Sequence, residues 1–116
     1  MTPDVATLVD EMRRDEKLRL VRDERATGSL PGVPRLDVPP LRLVDGPLGI
    51  RAEGERATAF PATLATAATF DPELAHTQGT ALAREARAHG QHALLAPGVN
   101  VLRVPHCGRN FEYLSE

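Results

Sequence analysis

Val5, Leu8, Val9 and Met12 recur at i, i+3, i+4 and i+7, which lays one apolar stripe along a helix starting near Asp4. Asp15 and Glu16 interrupt that stripe, and Leu18, Leu20 and Val21 begin another. The pattern predicts two short helices meeting near Arg14–Asp15, a helical lead-in over residues 1–25. Residues 26–40 hold Gly28, Pro31, Gly32, Pro34, Pro39 and Pro40, so an extended surface connector is expected there.

Leu41-Arg42-Leu43-Val44 reads as a short strand running into Asp45-Gly46-Pro47, where Gly46 and Gly49 permit a sharp turn. A second extended piece is expected around Ala59-Phe60-Pro61, and one or two helical turns over Thr63–Ala68. The clearest helix runs from Pro72 to about His89. Asp71 is its N-cap, Pro72 its first residue, Glu73 an acid in its first turn, and Gly90 its stop. Leu74, Ala75, Gln78, Leu82, Ala83 and Ala86 form its inward face. Ala93–Ala96 is a buried-strand candidate ended by Pro97-Gly98, and Val101–Val104 a further brief extension. Strand and helix alternate, which predicts α/β architecture with parallel strands. Three strands and one good crossover helix nevertheless fall short of a covered sheet, and a (β/α)8 barrel takes about 250 residues.

Length and composition narrow the function classes. The chain has 116 residues, 41% hydrophobic and 26% charged, which is globular rather than disordered. A net charge of −2 gives no electrostatic case for nucleic acid or an anionic membrane as partner. With Phe60, Phe70, Phe111 and Tyr113 as the aromatics, no base-stacking platform is expected. Cys107 is the single cysteine, so no intrachain disulfide can form. Residues 1–4 lack a basic and apolar leader pattern, and no apolar run approaches the roughly 20 residues of a membrane span. A cytoplasmic location is the expectation.

Asp45 is the foremost chemical candidate, because it closes a strand at the edge where α/β folds place their sites. A carboxylate there can accept hydrogen bonds from two vicinal hydroxyls of a sugar; alternatively Asp45 shapes the turn as an Asx-turn residue. Arg51, six residues on, and Arg109, between Gly108 and Asn110, offer donor forks for hydroxyl or carboxylate acceptors. Either could instead be a structural ion pair, for example Arg109 with Glu112. Asp45 with Glu112 as a glycosidase-type acid pair is a weaker pattern, since nothing in the spacing fixes their separation. His89, His92, His106 and Cys107 have no metal-ligand spacing, and Cys107 beside His106 is a poor nucleophile–base arrangement. No metal or cofactor is expected.

Several collinear blocks carry a resemblance. They are Val33–Leu36, Leu43-Val44-Asp45-Gly46-Pro47-Leu48-Gly49-Ile50-Arg51, Ala59–Pro61, Ala67–Leu74, Leu95–Asn100 and Gly108-Arg109-Asn110-Phe111-Glu112-Tyr113-Leu114-Ser115-Glu116. Together the chain resembles the start of family-3 glycoside hydrolases of the β-glucosidase type. The resemblance implies the N-terminal portion of a (β/α)8 TIM-barrel-like domain, incomplete at 1–116, from a retaining enzyme acting on β-linked glucosides. It implies substrate-binding roles for Asp45, Arg51 and Arg109, with Glu112 as a supporting partner of an arginine. The family's Lys-His pair, nucleophilic aspartate and acid/base glutamate find no match here: Lys17, the sole lysine, lies in the lead-in. The resemblance therefore implies a fragment that is inactive alone and whose partners are the substrate and the remainder of its own barrel. The residues by themselves also allow a complete, non-catalytic α/β module that binds a ligand or a protein.

Overall fold

The computed structural model describes residues 4–22, 28–51 and 54–115. They form mixed α/β structure in two compact units, Met1–Leu43 and Val44–Glu116.

In the first unit, α1 (Val5–Glu11) and α2 (Arg14–Leu20) fall where the apolar stripes place them. Their break comes at Met12–Arg13 because Glu16 reaches back to accept the Arg13 N–H at 2.8 Å, fixing the first turn of α2. Asp15 and Glu16 also set negative charge at that helix's positive end. Glu16 receives the fork of Arg35 as well, Nε at 2.8 Å and Nη2 at 2.6 Å, while Arg35 Nη2 donates to the Glu11 carbonyl at 2.7 Å. The Arg35 hydrogen bonds, then the Arg13 N–H, pull the Glu16 carboxyl down from 4.5 to about 2.

Residues 28–40 carry more local structure than an extended connector. β1 (Ser29–Leu30) pairs antiparallel with the start of β2 (Leu41–Asp45), in register Ser29↔Arg42 and Leu30↔Leu41. Between them lie a 3-10 turn, Pro34–Leu36, and a Val33↔Val38 bridge that leaves Val33 buried. This departs from the all-parallel expectation for a topological reason. The ten-residue return between them holds a 3-10 turn and no crossover helix, and such returns commonly bring a strand back antiparallel. The adjoining residues 23–27, where the lead-in meets the connector, lie outside the described residues.

The second unit begins as β2 ends. α3 (Thr63–Ala67) and α4 (Pro72–Ala88) follow, and Asp71 caps α4 by accepting from the N–H groups of Glu73 (2.9 Å) and Leu74 (3.1 Å). β3 (Ala93–Leu95) is a sheet neighbour of β2. The core here is small: Val44, Ile50 and Ala86 are buried together with Leu94 against them. On the predicted inward face of α4, Leu82 and Ala86 are buried, but Leu74 stays 47% exposed.

Three expectations for this unit give way to tertiary pairing. Residues 59–61 form no strand; the Phe60 N–H instead donates to the Leu48 carbonyl at 2.8 Å. Gly98 does not merely end a strand but opens β4 (Gly98–Val101), so the extension expected at Val101–Val104 sits earlier in the chain. The cause is β5 (Tyr113–Ser115), which follows a 3-10 turn (Asn110–Glu112) and pairs parallel with β4, Gly98↔Tyr113 and Val101↔Ser115. Backbone partners supplied by β5 outweigh the turn chemistry of Pro97-Gly98. No helix among the described residues is long and apolar enough to cross a membrane.

Candidate functional site

Asp45 is the last residue of β2, and the chain turns sharply after it. The Gly49 N–H returns to the Gly46 carbonyl (3.3 Å) and the Arg51 N–H to the Asp45 carbonyl (2.9 Å). This turn brings Arg51 back over the strand end, so that Nη1 stands 3.9 Å from Asp45 Oδ2. At that distance the two form an ion pair without a hydrogen bond. Both groups remain open, with Asp45 51% and Arg51 75% exposed. The Asx-turn alternative for Asp45 is not realised. Such a turn needs the N–H two residues on, and that residue is Pro47, which has none.

The second arm comes from the far end of the unit. Asn110 Nδ2 donates to the carbonyls of Val104 (3.2 Å) and Pro105 (3.1 Å), closing the loop before the 3-10 turn. Thr63, buried at the start of α3, donates through Oγ1 to the Tyr113 carbonyl at 2.9 Å and so ties β5 to the helix. On this support Arg109 lays its fork on Glu112, Nε to Oε1 at 3.0 Å and Nη2 to Oε2 at 2.6 Å. The Arg109 hydrogen bonds hold the Glu112 carboxyl below its ordinary range, with the charge of Arg51 adding to the effect. The same bond raises Arg109. The ion pair foreseen for Arg109 is therefore present, and it uses Nε and one terminal nitrogen while leaving the other clear of Glu112.

Both arms border one open hollow of about 370 Å³, lined by Asp45, Arg51, Arg109, Glu112 and residues 46–49. The four residues singled out from the sequence are thus brought together. The histidines and the cysteine are not part of it. His89 Nδ1 lies 2.7 Å from Glu55 Oε2, and the Cys107 thiol contacts the Tyr113 hydroxyl (3.6 Å) rather than His106. The Arg109 backbone N–H, then that hydroxyl, lower the Cys107 thiol. Among the described residues no group of three or more His, Cys, Asp or Glu side chains is arranged to hold a metal.

Two supporting residues escape the sequence reading. Glu85 Oε1 accepts from both the N–H (2.8 Å) and the hydroxyl (2.9 Å) of Thr58, at the base of the Arg51 loop. The available signal was modest: Glu85 is three residues from Leu82, so a charge falls beside the apolar face of α4.

The family model for the glycosyl hydrolase family 3 N terminal domain matches residues 6–116. Among characterised relatives, β-glucosidase BoGH3A of Bacteroides ovatus is 41% identical, over 97% of this chain and 16% of its own. Thermostable β-glucosidase B of Acetivibrio thermocellus is 36% identical over 100% of this chain and 17% of its own. Among solved structures, DesR, a β-glucosidase from Streptomyces venezuelae in complex with D-glucose, superposes with a TM-score of 0.85 at 47% identity. The superposition covers 97% of this chain and 15% of that one. The chain thus spans about a sixth of the length of the relatives it matches.

Proposed function

The chain belongs to glycosyl hydrolase family 3, and on that premise we propose that it forms part of the TIM barrel of a retaining β-glucosidase. Its contribution is the wall that holds the sugar of a β-linked glucoside. The observation that carries this is the convergence of Asp45, Arg51 and Arg109 on one open hollow. The Asp45 carboxylate is acceptor-only and half exposed, so its two oxygens can take hydrogen bonds from two adjacent hydroxyls. Arg51 and the terminal nitrogen of Arg109 that Glu112 does not engage donate to hydroxyl oxygens from the other side. Contacts of this kind speed the reaction to the extent that they tighten as the ring flattens toward an oxocarbenium-like transition state.

Neither carboxylate of the hollow serves as nucleophile or acid in this reading. Glu112 is spent on Arg109, and its lowered carboxyl holds no proton to donate near neutrality. Attack on the anomeric carbon and protonation of the leaving oxygen come from carboxyl groups outside these 116 residues. The barrel reading is also supported by the apolar side chains that β3 and β4 leave uncovered. Leu95 is 48%, Val99 74% and Val101 55% exposed, as expected of strands whose further neighbours lie elsewhere in a barrel.

The test is a pair of measurements on the purified chain. Glucose added to the 15N-labelled protein is expected to shift the side-chain Nε–Hε signals of Arg51 and Arg109, and Asp45→Ala to abolish the response. An aryl β-glucoside is expected to remain uncleaved. Appreciable hydrolysis, or a glucose response indifferent to Asp45→Ala, would overturn the assignment.

A further inference from the structure

We propose that Glu85, in the last turn of α4, is the positioning residue for the Arg51 side of the hollow, acting through Thr58. The linkage can be followed atom by atom. Glu85 Oε1 takes both the N–H and the hydroxyl of Thr58, at 2.8 and 2.9 Å. The Thr58 carbonyl packs directly on Gly49, so closely that a Cβ at Gly49 would strike it. Two residues further, the Phe60 N–H binds the Leu48 carbonyl at 2.8 Å. Leu48 and Gly49 are the outer half of the turn that swings Arg51 over Asp45. A rigid helix is thus joined by two hydrogen bonds to the segment on which the arginine-bearing turn rests.

Two further observations mark this as more than an incidental surface contact. Glu85 Oε2 is buried with no hydrogen-bond partner among the described residues. A buried, unpaired carboxylate oxygen is costly, and an alanine or leucine on this face would avoid that cost. The other oxygen of the Glu85 carboxylate grips Thr58 through two hydrogen bonds. One helical turn on, His89 holds Glu55 at 2.7 Å, a second attachment of the same loop to the same end of α4.

The consequence for ligand binding rests on the sugar-site reading above; the consequence for the loop does not. The experiment separates them by following amide exchange at Thr58 and the Arg51 Nε–Hε signal, each with and without glucose, in the wild type, Glu85→Ala and Glu85→Gln. Loss of the carboxylate is expected to speed Thr58 exchange at least about tenfold. It is also expected to move the Arg51 signal and to diminish the glucose response at Arg51 while sparing Arg109. Glutamine keeps one acceptor oxygen and is expected to restore all three. An unchanged Thr58 amide and Arg51 signal in Glu85→Ala would overturn the positioning role. Absence of any glucose response in the wild type would instead overturn the sugar reading and leave the loop comparison decisive by itself. Should Glu85→Ala lose its helical circular dichroism, Thr58→Val, which deletes only the hydroxyl bond, takes its place. An unmoved Arg51 signal in that variant would refute the proposal.

Discussion

Gly49→Ala probes the turn at its tightest point. Gly49 has φ +129°, a conformation that side-chain-bearing residues rarely adopt, and the space a Cβ would need is taken by the Thr58 carbonyl. Alanine there faces two costs at once. The backbone strain amounts to about 1–3 kcal/mol, and relieving the collision requires the Thr58 segment to retreat. That retreat works against the two hydrogen bonds from Thr58 to Glu85 and the bond from Phe60 to Leu48. Strain of that size lowers occupancy of the closed turn by about 5- to 160-fold. Amide hydrogen exchange resolves it residue by residue. Protection at Thr58 and Phe60 is expected to fall by a factor in that range. The Ala75 amide, bonded to Asp71 at the start of α4, is expected to keep its wild-type rate. Wild-type protection at Thr58 and Phe60, or an equal fall at Ala75, would refute the argument that Gly49 and Thr58 form one local clasp.

The remaining predictions concern the supports. Gly79 lies inside α4, and beyond the helix's own backbone nothing lies within 4 Å of the place an alanine methyl would occupy, so Gly79→Ala is expected to stabilise the chain by about 0.5–1 kcal/mol. A urea midpoint that falls rather than rises would contradict this. Glu16 has a folded carboxyl depressed from 4.5 to about 2 by Arg35 and the Arg13 N–H, so the unfolded chain takes up its proton first. Its contribution to stability is complete above 4.5 and is lost as pH falls through about 2. An acid titration of Glu16→Gln against the wild type checks the sign: the difference in stability should shrink across that window, and a constant difference would count against the pairing.

The elements with the strongest local signals were legible in the sequence. Asp71-Pro72 and Gly90 mark both ends of α4, and the interrupted stripe separates α1 from α2, because capping and periodicity act within a few residues. That these residues line one hollow was foreshadowed for a different reason: Asp45 follows a strand, and Arg51 and Arg109 lie near glycines in motifs with a family likeness. What escaped depends on partners far away in the chain. β5 exists because β4 offers it a ladder, and the start of β4 moved to Gly98 for the same reason. Glu85 gives no sign in sequence that its acceptor serves Thr58, 27 residues earlier. Local chemistry points to the candidate groups; long-range hydrogen bonds decide where those groups are held.

The charges of the hollow bear on what it can hold. Asp45 and Glu112 carry one negative charge each, and Arg51 and Arg109 one positive charge each, so the lining is balanced. A phosphate or carboxylate ligand would call for an excess of donors, as in Arg clusters, and a cation for an excess of carboxylate. Neither excess is present. Within that balance the pairs differ: Arg109–Glu112 is closed at 2.6 Å, while Asp45 and Arg51 stand 3.9 Å apart without a hydrogen bond. A closed pair keeps an arginine in place; the open one leaves strong acceptors and donors side by side with no hydrogen bond between them. A neutral ligand whose neighbouring hydroxyls both donate and accept would satisfy such a pair without adding charge, and the sugar proposed above has that chemistry.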